Sequence, residues 1–206
     1  MGLLGLLIKN PLAFVLLAIP FLYSVILHEV AHGWVANRMG DPTAKWMGRL
    51  SLNPLRHLDP IGTLMLFLVG FGWAKPVPVN FNNIADRRKG LIFVSSAGIA
   101  ANILIALAAQ LFFRLFSVSP FGIGAVLLYR LTQINITLAA LNLIPIPPLD
   151  GSKILMGLVS ERTQYSLARL EPYGFFIIIG LLYLGILDPL IGFIGGIIGT
   201  MIGILS

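Results

Sequence analysis

Hydrophobic residues along this chain gather into six stretches with few or no charges, and the polar residues gather between them. The stretches run from Pro11 to about Asn37, Pro60 to Ala74, Gly90 to Phe113, Phe121 to Pro145, Pro172 to Leu187 and Pro189 to Ser206. Most are long enough to cross ~30 Å of hydrocarbon as helices rising ~1.5 Å per residue. The segment from Pro60 to Ala74 is the exception, with only fifteen residues, three of them Gly62, Gly70 and Gly72. It reads as a re-entrant or interfacial element, followed by Lys75-Pro76-Val77-Pro78-Val79-Asn80, whose alternation suits extended chain. The pattern predicts an all-α polytopic membrane protein with about five to six transmembrane helices, one re-entrant or interfacial segment and a short extended hairpin. No internal repeat, heptad or low-complexity tract interrupts it, and no loop is long enough to hold a soluble domain. In the last stretch Gly192, Gly195, Gly196, Gly199 and Gly203 have the spacing that lets helices approach closely.

Composition agrees: 57% of the 206 residues are hydrophobic and 11% charged, with a mean hydropathy of +0.93. That lies far outside the usage of a soluble domain. The net charge of +6 raises nucleic acid as a partner, but the Lys and Arg residues sit in short loops between apolar stretches, where lipid headgroups and topology explain them. There is no cysteine, so any metal must be held by His, Asp or Glu. The N-terminus lacks a basic region followed by a small-residue cleavage site, so the first span is expected to stay in the mature protein.

The basic residues also orient the chain. With Pro60 to Ala74 re-entrant, eleven of the fourteen fall on one side, and only Lys9, Arg114 and Arg130 lie on or near the other. By the positive-inside rule the richer side is cytoplasmic and the N-terminus faces out. Trp34, Trp46 and Trp73 fall near that cytoplasmic interface, as an aromatic belt would. The C-terminal ends of the first span and of the Phe121 to Pro145 span then reach the same side.

Near the end of the first span stands His28-Glu29-Val30-Ala31-His32. Residues four apart on a helix share a face with about 6 Å between them, so both imidazoles can bind one metal while Glu29 lies beside the open position. Ionisable groups are costly at that depth, so these three are candidates for chemistry rather than for packing. Catalytic zinc usually keeps three protein ligands. The stretch Leu141-Asn142-Leu143-Ile144-Pro145-Ile146-Pro147-Pro148-Leu149-Asp150-Gly151 ends an apolar span with three prolines and an acid, which presents Asp150 on a rigid, irregular loop. From these residues alone, Asp150 is equally a ligand or the N-cap of a helix starting near Gly151.

Three motifs, His28-Glu29-x-x-His32, Gly98-Ile99-Ala100-Ala101-Asn102 and Asn142-x-x-Pro145-x-Pro147-x-Leu149-Asp150-Gly151, together resemble those of the site-2 protease family of intramembrane zinc metalloproteases, in family order. The resemblance runs from about Ile26 to Gly151. It implies one zinc per chain held by His28, His32 and Asp150, Glu29 as general base, and Asn102 and Asn142 lining the substrate site. It also implies a transmembrane protein substrate, within a compact branch without a PDZ-like or CBS-like domain. The expected organisation is one membrane domain over residues 1–206, with a catalytic core at about 11–151 and a helical hairpin at about 172–206, in a prokaryotic plasma membrane. The extended stretch from Lys75 to Asn80 would lie near the active site and offer an edge to an unwound substrate. A divalent-metal transporter using the same His and Asp residues is the rival reading, and it needs no general base. Asn135 and Gln133 read as helix contacts, and His57 and Asp59 as a loop cap before Pro60 with a smaller case for a pair behind the site.

Overall fold

The computed structural model describes residues 3–69, 72, 74–116 and 118–205. Gly70, Phe71 and Trp73 fall outside them, so the reading of Trp73 as an interface residue does too. The described residues form helices α1 (Leu3–Lys9), α2 (Pro11–Arg38), α3 (Thr43–Trp46), α4 (Pro60–Val69), α5 (Arg87–Leu115), α6 (Ile123–Asn142), α7 (Asp150–Leu158), α8 (Glu161–Ala168), α9 (Glu171–Tyr183) and α10 (Asp188–Leu205). Single residues set the long helices' starts. The Asn10 side chain accepts the Ala13 N–H at 3.0 Å with Pro11 in the first turn, and the Asp86 side chain accepts the Lys89 N–H at 3.0 Å.

Helices α2, α5 and α6 have 28, 29 and 20 residues and are long and apolar enough to cross a membrane. Helices α8 and α9 would add a fourth span if taken together, but they are bent by 67° at Arg169 and Leu170, and the apolar part of α10 is shorter. Beside the five to six spans expected from uncharged stretches, three to four helices have the length and composition to cross, with shorter apolar helices next to them. Freedom from charge measures a stretch but not its breaks, such as the turn after Tyr183 where Gly185 adopts φ +68°.

Helix α5 is central, packing against α2, α6 and α7. Lipid tails are as apolar as leucine, so burial from water does not drive helices together here and close packing must. Ala106 of α5 and Ala139 and Ala140 of α6 are wholly buried, in a cluster with Ile99, Ile136, Ile198 and Ile202 that joins α5, α6 and α10. Of the α10 glycines, a Cβ on Gly195 would meet Ile136 and Ala140 of α6, whereas one on Gly192, Gly196 or Gly203 would meet nothing within 4 Å.

The chain leaving at Leu58 returns at Ala74, where the two form an isolated antiparallel bridge. Between them α4 has ten residues, a rise of about 15 Å that is half a bilayer core, and Phe67 packs its ring 6.0 Å from Phe14 of α2. From Lys75 to Asn80 the chain is extended but unpaired; among the described residues there is no strand, and the expected hairpin reduces to that one bridge. This segment is a strap tied down at intervals. Lys75 N–H donates to the His57 carbonyl at 2.8 Å, Arg49 donates to the Lys75 carbonyl at 2.7 Å, and Asn80 N–H donates to Asp41 at 2.7 Å.

Candidate metal centre

Helices α2 and α5 run antiparallel, so descending α5 meets first His32 and then His28 of α2. His32 Nδ1 donates to the Val94 carbonyl at 2.7 Å, and His28 Nδ1 lies 2.5 Å from the Asn102 amide oxygen. A carbonyl can only accept, so the His32 proton sits on Nδ1 and its Nε2 is left as a lone pair. The two Nε2 atoms are 3.0 Å apart, and Asp150 Oδ2 lies 3.1 Å from each. All three residues are buried, and that oxygen takes no hydrogen bond from any neighbour.

A carboxylate oxygen without a donor and a bare imidazole nitrogen facing each other in a buried space repel unless a cation sits among them. The cluster's edges fall a little short of the ~3.3 Å edge of a tetrahedron with ~2.05 Å bonds. The space exists because residue 98 is glycine. A Cβ there would lie 2.5 Å from His32 Nε2, 2.5 Å from His28 Cε1 and 2.6 Å from His28 Nε2. His28, His32 and Asp150 are the group of side chains that could hold one metal ion among the described residues.

Asp150 reaches this position by a tightly folded corner. Leu149 occupies the capping position of α7, and Asp150 is the first helical residue with its carboxylate turned to the histidines, so it does not act as the cap. Gly151 is required beside it, because a Cβ would stand 2.4 Å from the Leu143 carbonyl and 2.6 Å from that of Ile144. Gly174 of α9 sits as tightly on the Pro147 carbonyl, 2.3 Å from where its Cβ would be, so α9 backs the proline turn from outside.

The other predicted residues are distributed unevenly. Glu29 is half-buried, and its Oε2 accepts the Val77 N–H of the strap at 2.8 Å. Asn102 is wholly buried; its oxygen faces His28 and its Nδ2 donates to Asn135 Oδ1 at 2.8 Å. Asn142 is half-buried and donates to the Leu138 carbonyl at 3.0 Å. Asp59 caps the turn before α4 by accepting the Gly62 N–H at 2.7 Å, and His57 contacts the Ser51 carbonyl, away from the histidine pair. Sequence reasoning missed three parts of the site: Gly98 as the source of space, Val94 as the carbonyl fixing His32, and Ser24 with Asn135 behind Asn102. Gly98 was legible as part of a motif and Asn135 as a helix contact; Val94 and Ser24 carried no signal.

A buried cluster of two imidazoles and one carboxylate in an apolar helical bundle is the candidate metal site of a membrane protein. The model of Peptidase family M50 matches residues 120–185, a range that includes Asn142 and Asp150. The chain is 38% identical over 170 residues to a Bacillus subtilis protein named "Putative zinc metalloprotease YwhC", covering 78% of this chain and 77% of that one. It is 32% identical over 196 residues to the Mycobacterium tuberculosis protein Rip2, which has the same description, covering 90% and 72%. It is 27% identical over 157 residues to a zinc metalloprotease of Methanocaldococcus jannaschii, covering 76% and 38%. No solved structure matches. The chain belongs to peptidase family M50, the site-2 protease family. It is a membrane zinc metalloprotease, and zinc is its cofactor.

Proposed function

We propose that this metalloprotease hydrolyses peptide bonds in or near transmembrane helices of membrane-protein substrates, with His28, His32 and Asp150 holding the zinc and Glu29 acting as general base. The observation that carries the reading is the convergence of His28 Nε2, His32 Nε2 and Asp150 Oδ2 within 3.1 Å of one another, beside Glu29 and among helices long and apolar enough to cross a membrane. His28 stands ten residues before the end of α2, about 15 Å along the helix, which suits a site within the bilayer rather than at its surface. Zinc, when bound, supplies the Lewis acidity that makes water a nucleophile near neutral pH and polarises the scissile carbonyl. Glu29 takes the proton of the attacking water and passes it to the leaving amine. Asn142, at the end of α6, lines the substrate side. A helical substrate has its carbonyls bonded and shielded, so it must unwind before attack, and the strap from Lys75 to Asn80 offers backbone groups to the unwound chain.

The fold suits one membrane domain over residues 1–206, with a core at about 11–151 and α9 and α10 backing it. The paired ends at Leu58 and Ala74 favour a re-entrant α4. With the basic loops cytoplasmic, the active site opens toward the cytoplasm of a prokaryotic plasma membrane, and water reaches it from there. The test is reconstitution of the purified protein with single-span substrates. Wild type should cleave, while Glu29→Gln and chelator-treated protein should not; cleavage indifferent to both would exclude the mechanism.

A further inference from the structure

We propose that Asn135 and Ser24, which make no hydrogen bond to His28, His32 or Asp150 among the described residues, set the tautomer of His28 through Asn102. The inference rests on His28 being a zinc ligand, as read above. The chain of bonds crosses three helices: Ser24 lies one turn before His28 on α2, Asn135 on α6 and Asn102 on α5. All three are buried, and Asn102 and Asn135 are wholly so.

An amide side chain can turn end for end, so the Asn102 oxygen alone does not say which way the proton on His28 points. The bonds behind it do. Asn135 Nδ2 faces the Leu131 carbonyl at 2.8 Å, a group that can only accept, and Ser24 Oγ at 2.8 Å. The Ser24 hydroxyl proton is committed to the Pro20 carbonyl at 2.7 Å, so toward Asn135 it accepts. Both Asn135 protons are therefore used on that side, and its Oδ1 must face Asn102 and accept from Asn102 Nδ2 at 2.8 Å. That turns the Asn102 oxygen to His28, and the proton must sit on Nδ1, leaving Nε2 free for the metal.

The two histidines thus reach one tautomer by different means. His32 is fixed directly by a backbone carbonyl, whereas His28 is fixed by carbonyls of Leu131 and Pro20 acting through a relay of side chains. Asn135 and Ser24 are positioning residues, and Asn102 is the link that turns with them.

The chain carries three histidines, so ring nitrogens of His28 are assignable in 15N-histidine-labelled protein stripped of metal in detergent. Wild type should show His28 protonated on Nδ1 and bare on Nε2. Asn135→Leu, which leaves Asn102 free to turn, should bring up an Nε2–H population and weaken zinc binding, read by competition with a chelator, by about 10- to 100-fold. Asn102→Ala should lose at least as much, whereas Asn102→Asp, which keeps an acceptor facing His28 and can meet Asn135 Oδ1 as the protonated acid, should lose less than Asn102→Ala. Wild-type His28 protonated on Nε2 would overturn the proposal. So would a folded Asn135→Leu with the wild-type tautomer and affinity, or, should that variant fail to fold, equal zinc affinities for Asn102→Ala and Asn102→Asp. Because no step is scored by proteolysis, failure here is separable from failure of the protease reading.

Discussion

His28, His32 and Asp150 are carried by helices packed tightly on α5, whereas Glu29, next to His28 in sequence, has its carboxylate against a backbone N–H of the strap. The ligand half is held from behind by Val94, Asn102 and the close approach at Gly98. The base half leans on a segment without strand pairing, tied at Lys75, Val77 and Asn80. On the proposed roles, the contrast sets a preorganised ligand cluster against a base whose strap partner, the Val77 N–H, a substrate backbone would have to replace while the cluster stays in place.

The largest separation of the two halves comes from removing one member of each. Asp150→Ala takes away a ligand and should lose zinc, measured as metal content after dialysis, with cleavage falling to background. Glu29→Gln should keep zinc affinity within about threefold yet lower cleavage by about 10²- to 10⁴-fold, the usual contribution of a general base. A transporter would need Asp150 but not Glu29, so metal uptake into proteoliposomes that survives Glu29→Gln, with no cleavage in wild type, would favour that reading.

Gly98→Ala strikes the ligand half without removing a ligand. Its Cβ would stand 2.5 Å from ring atoms of both histidines, and their Nδ1 partners at Val94 and Asn102 oppose retreat. Overpacking of ~1–3 kcal/mol should appear as zinc affinity weakened by about 10- to 100-fold. Gly196→Ala on α10 adds a methyl where nothing lies within 4 Å and should leave affinity unchanged. Equal affinities in the two variants would mean that the ligand cluster is looser than the helices around it.

What was legible in the sequence follows the same division. The paired histidines lie on a helix, where a four-residue spacing is itself a geometry, and three prolines before Asp150 announced a rigid corner, so the grouping of His28, His32 and Asp150 was readable. Asn135 looked like any intramembrane asparagine, because its role depends on Ser24 lying 111 positions away. Asn102 was readable as part of a motif, but its burial between His28 and Asn135 depends on two other helices. The number of spans was less legible for a different reason: a stretch without charge says that lipid is tolerable, and the bend of 67° between α8 and α9 is a packing decision made elsewhere.

The smallest effect is expected at the far anchor of the strap. Asp41 is wholly buried and accepts the Asn80 N–H at 2.7 Å, Asn83 Nδ2 at 2.7 Å, and both the N–H and the hydroxyl of Thr43. Burial pushes its carboxyl up, but the hydrogen bonds from Thr43, Asn83 and Asn80 prevail and hold it below the ordinary aspartate value. A carboxyl depressed in the folded state stabilises fully above its unfolded pKa of about 3.9 and loses that contribution only as pH falls through the folded value below it. The anchor should therefore be constant from about pH 5 upward, and pH dependence of cleavage near neutrality should not arise from it. Asp41→Asn presents an amide where donors converge, so exchange of the Asn80 amide should quicken by about tenfold at pH 7. The KM for substrate should shift by a few-fold, because among the described residues Val77 is the one that bonds the strap to Glu29, and zinc affinity should not change. Loss of zinc in Asp41→Asn would show instead that strap and ligand cluster are one cooperative unit, and the contrast between them would fail.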